Sequence, residues 1–65
     1  MTFEEFAKLA EASPFTWEIF GEMNTLLHEG YSEQQAYAAA LQLGYDLEQE
    51  ALAYERKLSN EKTSD

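Results

Sequence analysis

The sequence predicts an all-α fold: a single small domain of three to four short helices with a disordered C-terminal tail. The 65 residues contain nine Ala, one Ile and no Val, a composition that favours helices over strands. Four helix-start signals follow one another along the chain, and apolar residues recur between them at helical spacing. A chain of this length forms one domain with a thin core.

The start signals predict four helices with defined bounds. These lie at residues 3–12, 14–29, 33–43 and 47–58. The first begins at a capping box, in which Thr2 and Glu5 satisfy each other's backbone N–H groups. The second begins at Ser13, a favoured N-cap residue, which is followed by Pro14 at the first helical position.

The third and fourth helices are predicted from a pattern that occurs twice. Two further capping boxes start them: Ser32 with Gln35, and Asp46 with Gln49. Gly30 and Gly44 each precede one of these boxes, where a left-handed C-cap glycine would end the helix before it. Residues 59–65 lack an apolar anchor and are predicted to form a flexible tail, which limits the helical domain to residues 1–58.

Helical spacing also predicts which residues form the core. The expected buried set is Phe20, Met23, Leu27, Ala40 and Leu43. Truncating Leu27 to Ala is expected to lower the free energy of unfolding by about 2–5 kcal/mol. The fourth helix carries a narrow apolar stripe of Leu47, Ala51, Tyr54 and Leu58.

The second helix carries a third face besides its apolar and acidic sides. Trp17, Gly21, Asn24 and His28 lie on it at i, i+4, i+7 and i+11. Glycine inside a helix costs about 1 kcal/mol relative to Ala, so we expect something to approach the backbone at Gly21. Either the first helix crosses there, with Trp17 covering the glycine, or a partner docks there.

The charge balance argues against several classes of function. Thirteen acidic residues against four basic ones give a net charge of −9 at pH 7, which disfavours direct binding to nucleic acid or to an anionic membrane. No Cys is present, so neither a disulfide framework nor a thiolate metal site is expected. The longest apolar run, residues 36–41, is too short to span a membrane, and the acidic first residues are unlike a targeting peptide. These features predict a cytoplasmic protein.

Motifs and spacings that carry chemistry are nearly absent. His28 is the single imidazole, it has no Cys or Gly-x-Ser-x-Gly element to partner it, and the three glycines are isolated. We therefore expect no enzyme activity, no cofactor and no metal site.

Three classes of function remain. The first is a protein-binding module or regulator, such as an inhibitor, that docks on a partner protein with a basic surface. Its expected binding residues are Trp17, Glu18, Glu22, Asn24, His28, Glu29 and Tyr31. The second is an acidic mimic of nucleic acid that blocks the basic groove of a DNA- or RNA-binding protein. The third is a structural homo-oligomer, since a thin core often needs a second copy.

The middle of the chain resembles a known family. The spacing Leu27-x-x-Gly30-Tyr31-Ser32, followed by Ala40-Leu41 and Asp46, is similar to that of the ubiquitin-associated three-helix domain. That family carries a Met-Gly-Phe loop, and this chain has Glu29-Gly30-Tyr31 at that place. The resemblance covers residues 27–54, less than half of the chain, and implies that the separate helices predicted there belong to a three-helix domain. Ubiquitin binding is not expected, because a charge replaces the apolar residue of the loop.

Overall fold

The fold is all-α, as the composition predicts, and consists of three helices. The computed structural model describes the backbone of residues 1–63 and the side chains of residues 1–58. The helices are α1 (Phe3–Glu11), α2 (Thr16–His28) and α3 (Glu33–Thr63), and the described backbone contains no strand. Both shorter helices pack on α3, and α2 lies along it more extensively than α1. The backbone of α3 continues to Thr63, past the predicted helix end at residue 58. The side chains of the predicted tail, residues 59–65, lie outside the described residues, and its flexibility stays a prediction.

The starts of α1 and α3 follow the predicted capping boxes. Glu5 donates its backbone N–H to Thr2 Oγ1 (3.2 Å), and its Oε1 accepts the backbone N–H of Thr2 (2.9 Å). At the start of α3, the N–H of Gln35 is donated to Ser32 Oγ (3.2 Å), and Gln35 Oε1 accepts the N–H of Ser32 (3.1 Å). In each case, two backbone donors that a helix start leaves unpaired are satisfied by side chains.

The predicted end of α2 at Gly30 is also confirmed. Gly30 has a φ of 99°, the left-handed conformation that glycine adopts without steric cost. The N–H of Tyr31 is donated to the carbonyl of Leu26, and the N–H of Gly30 to the carbonyl of Leu27, both at 3.1 Å. This pair of bonds is the Schellman motif, which turns the chain back from α2 into α3.

The start of α2 differs from the prediction, because the helix begins at Thr16 and not at Pro14. Ser13 Oγ accepts the backbone N–H of Phe15 (3.1 Å), so Ser13 caps a turn that precedes the helix. The hydroxyl of Thr16 lies 2.9 Å from the carbonyl oxygen of Ala10 and 2.7 Å from that of Ser13. Side-chain hydrogen bonds therefore close the joint between α1 and α2.

The predicted break at Gly44 is wrong: the third and fourth predicted helices form one continuous helix, α3. Gly44 is buried, and a Cβ built on it would lie 2.5 Å from Ile19 Cδ1. It is therefore the point where α2 approaches the α3 backbone. Asp46 does not cap a helix; its Oδ1 accepts a hydrogen bond from Gln42 Nε2 (3.0 Å) one turn earlier. Because residues 33–63 form one continuous helix, the separate helices that the family resemblance implies in this part of the chain are not present.

The core lies where the three helices meet. Its buried residues are Phe6, Ala10, Ile19, Met23, Ala36, Tyr37 and Ala40. The ring of Phe6 stacks on Tyr37, with centroids 4.8 Å apart, and meets the edge of Phe20 at 5.6 Å. These aromatic contacts join α1 to both other helices.

The predicted core is correct in part. Met23 and Ala40 are buried as predicted, whereas Phe20 and Leu43 are half-buried. Leu27 was predicted wrongly, since 36% of its surface is exposed. The buried side of α2 is centred on Ile19 and Met23, and Leu27 lies about 80° around the helix from Ile19, at the edge of that side.

Candidate partner-binding surface

The predicted third face of α2 is open to solvent along its length. Trp17 is 84% exposed, and Asn24 and His28 are exposed as well. No heavy atom lies within 4 Å of a Cβ built on Gly21. The expectation that α1 crosses at Gly21 with Trp17 covering it is therefore wrong, and the indole ring presents its apolar surface to water.

The C-terminal end of this face forms a shallow depression. Asn24, Leu27 and His28 line it, around a volume of about 310 Å³. Sequence reasoning missed Leu27 here because its apolar side chain was assigned to the core. The depression therefore combines one aliphatic side chain with an amide and an imidazole, and His28 lies in the last turn of α2.

The predicted acidic residues lie beside this face. Glu18 is exposed in the first turn of α2, near the positive end of the helix dipole, and Glu22 is half-buried one turn later. Glu29 is the exposed C-cap residue of α2. Carboxylates therefore border the face at both ends.

Tyr31 lies in a separate groove on the other side of the Gly30 turn. The tyrosine is 50% exposed. It lines an open groove of about 540 Å³ together with Leu26, Gln35, Ala38 and Ala39. Ala38 and Ala39 belong to the Ala-rich part of α3, and that small-residue run was the available sequence signal for this groove.

The structure therefore brings the predicted binding residues together in part. Asn24 and His28 share one depression, and Tyr31 belongs to the neighbouring groove. Trp17 lies eleven residues before His28 on the same helix, which places the two about 16 Å apart along its axis. A partner that contacts Trp17 and the depression together must span most of α2.

The described part of the chain carries neither a metal-binding cluster nor a membrane-spanning helix. Within that part, no three His, Cys, Asp or Glu side chains are grouped so that they could hold a metal ion. None of the described helices combines the length and the apolar character that crossing a membrane requires. In comparisons with known proteins, no family model, no curated protein and no solved structure matches this chain.

Proposed function

We propose that this chain is a small, non-enzymatic protein-binding module or regulator that docks on a partner protein. The docking surface is the exposed third face of α2, called here the outer face of α2, which carries Trp17, Gly21, Asn24 and His28. The observation that carries the proposal is the exposure of Trp17, at 84% of its surface. Trp is largely buried on average in folded domains, and it is among the residue types most enriched at binding hot spots. An indole ring that is mostly in water carries a free-energy cost, and contact with a partner removes it.

The charge around this face supports a division of roles. Glu18 and Glu22 give the outer side of α2 a negative potential, which speeds encounter with a basic surface. Trp17 and Leu27 supply the apolar contact area that determines how long the complex lasts. The lack of Cys suits a reducing compartment, and we propose that the protein acts in the cytoplasm.

The test compares two exposed aromatic residues. Immobilised wild-type chain is used to capture partners from a lysate of the native host, and the captured protein is then purified and titrated against variants. We expect Trp17→Ala to weaken binding by about 2 kcal/mol, as hot-spot truncations do. Its melting temperature should stay that of the wild type, because the side chain is in solvent. Tyr45→Ala is the matched control: Tyr45 is 58% exposed on α3 and lies outside the proposed face.

Charge reversal separates this proposal from nucleic-acid mimicry. Reversing Glu18 and Glu22 to Lys should slow association and flatten its salt dependence while leaving the dissociation rate nearly unchanged. If the double reversal abolishes binding and Trp17→Ala has no effect, the chain acts as an acidic mimic. If binding is insensitive to all three changes, the outer face of α2 is not the binding surface.

A further inference from the structure

The second half of α3 carries an apolar face that continues the core face of its first half. At 100° per residue, the buried core positions of α3 occupy an arc of about 100°. These are Ala36, Tyr37, Ala40 and Gly44. The apolar residues of the second half fall inside the same arc: Leu47, Ala51, Tyr54 and Leu58. One stripe therefore runs along the helix from residue 36 to residue 58.

The short helices cover this stripe along its first half, and the joint between them reaches the start of the second half. There Leu47 is half-buried, and Pro14 and Phe15 border Ala51 in a shallow groove. Ser13 Oγ donates to Glu48 Oε1 (3.0 Å), which ties the joint between α1 and α2 to α3 at this level. Beyond that contact Ala51 is exposed, Tyr54 is 63% exposed and Leu58 is 40% exposed. The molecule measures 51 × 22 × 15 Å, as expected for a helix that extends past its bundle.

We propose that a second copy of this chain covers the exposed stripe, with the two α3 helices antiparallel. The spacing of four, three and four residues between Leu47, Ala51, Tyr54 and Leu58 is that of a coiled-coil seam. An antiparallel arrangement can place the Ala51 position of one copy opposite the Tyr54 position of the other, and the Leu47 position opposite the Leu58 position. The side chains in each layer of the interface then fill similar volumes. A parallel arrangement would set Ala against Ala and Tyr against Tyr, leaving a gap beside a crowded layer.

The charges beside the stripe favour the same orientation. Glu50 and Lys57 flank the stripe on one side, about 100–120° from Ala51. In the antiparallel pair, Glu50 of each copy lies near Lys57 of the other, which gives two opposite-charge pairs. In a parallel pair, Glu50 of one copy would lie near Glu55 of the other, and both such pairs would repel.

The self-complementary composition identifies the occupant as a second copy. A single stretch of twelve residues supplies both the small and the large side chain, and both the acid and the base, that the pairing requires. The stretch is about 18 Å long, which is short for a stable interface. On the opposite flank Glu48 of each copy lies near Glu55 of the other, which gives two like-charge pairs that offset the two attractive ones. The proposed dimer is therefore weak and forms at high concentration. It uses a different surface from the outer face of α2 and does not rest on the proposed function.

Analytical ultracentrifugation of the full chain, from about 10 µM to about 1 mM, tests the proposal. We expect the mass to rise toward that of a dimer over this range. Lys57→Glu should weaken association about tenfold or more, because two attractive pairs become repulsive. Combining Lys57→Glu with Glu50→Lys should restore the dissociation constant to within about threefold of the wild type, since it re-forms both pairs.

Arg56→Glu is the matched control for net charge. It makes the same change one residue earlier on the outward side of α3, and we expect it to leave association nearly unchanged. Tyr54→Ala should weaken association with the helix content at low concentration unchanged, as measured by circular dichroism. A chain that stays monomeric at the highest concentration overturns the proposal. So does an equal effect of Lys57→Glu and Arg56→Glu, a failure of the charge swap to restore binding, or a tighter dimer in Lys57→Glu.

Discussion

Gly44 and Gly21 offer a direct test of how α2 and α3 pack, because both glycines lie inside helices but in opposite environments. A Cβ at Gly44 would lie 2.5 Å from Ile19 Cδ1 and 2.8 Å from Ile19 Cγ1. Carbon atoms in contact prefer separations of about 3.5–4.0 Å, so Gly44→Ala forces a shift of about 1 Å. Ile19 is 1% exposed and cannot move its side chain into solvent.

The magnitude follows from two opposing terms. Overpacking a core by one methyl group costs about 1–3 kcal/mol, and the close approach of two atoms places Gly44→Ala toward the upper end of that range. Replacing Gly by Ala inside a helix returns about 1 kcal/mol. We expect Gly44→Ala to lower the free energy of unfolding by about 1–2 kcal/mol. Gly21→Ala meets no atom within 4 Å and should raise it by about 0.5–1 kcal/mol.

Urea and thermal unfolding followed by circular dichroism measure the difference. The two variants should differ by about 1.5–3 kcal/mol, and since 1 kcal/mol corresponds to about 4–8 °C in a domain of this size, they should melt about 6–24 °C apart. Ile19→Val removes the Cδ1 atom nearest to the new methyl group. It should cost about 0.5–1.5 kcal/mol in the wild type and less in Gly44→Ala, because it relieves the contact there. If Gly44→Ala stabilises the protein as much as Gly21→Ala does, α2 does not approach α3 at this point.

Two further predictions concern the core and the first cap. Leu27→Ala should lower the free energy of unfolding by less than about 1 kcal/mol, because Leu27 is at the edge of the core. Ile19→Ala should lower it by about 2–5 kcal/mol, because Ile19 is fully buried. Urea denaturation of both variants checks this order. Hydrogen bonds from the backbone N–H of Thr2, and then from its side chain, hold the pKa of Glu5 below its ordinary value. The stabilisation that ionised Glu5 gives the start of α1 is therefore complete above the ordinary pKa and is lost as the pH falls through the lowered one. An NMR titration of the Glu5 carboxyl measures the pKa shift, and Thr2→Ala should make the shift smaller. An identical titration curve in wild type and Thr2→Ala would contradict this account.

Local patterns predicted the parts of the fold that neighbouring residues determine. The capping boxes at Thr2 and Ser32 and the left-handed turn at Gly30 involve groups within a few residues of one another, so their sequence signals are sufficient. The same pattern failed at Gly44, which is also followed by a Tyr and a capping residue, Asp46. Gly30 turns the chain, whereas Gly44 makes room for a side chain of another helix. A contact between Ile19 and Gly44 spans twenty-five residues of sequence, and helix punctuation carries no information about it.

At the candidate site, too, the sequence determined local geometry but not which helices touch; here the contact that sequence reasoning considered is absent. Sequence spacing placed Trp17, Asn24 and His28 on one face of α2, and the structure has them exposed on that helix. The spacing could not decide between a face covered by α1 and a face open to solvent, because that depends on where α1 crosses. α1 reaches the core through Phe6, which packs on Tyr37 and Phe20, so its position is fixed away from Gly21. The close helix approach that a buried glycine permits occurs at Gly44 instead. The cost of Gly21 therefore has no compensation within the described part of the chain, and contact with a partner at the outer face of α2 is the compensation that our proposal supplies.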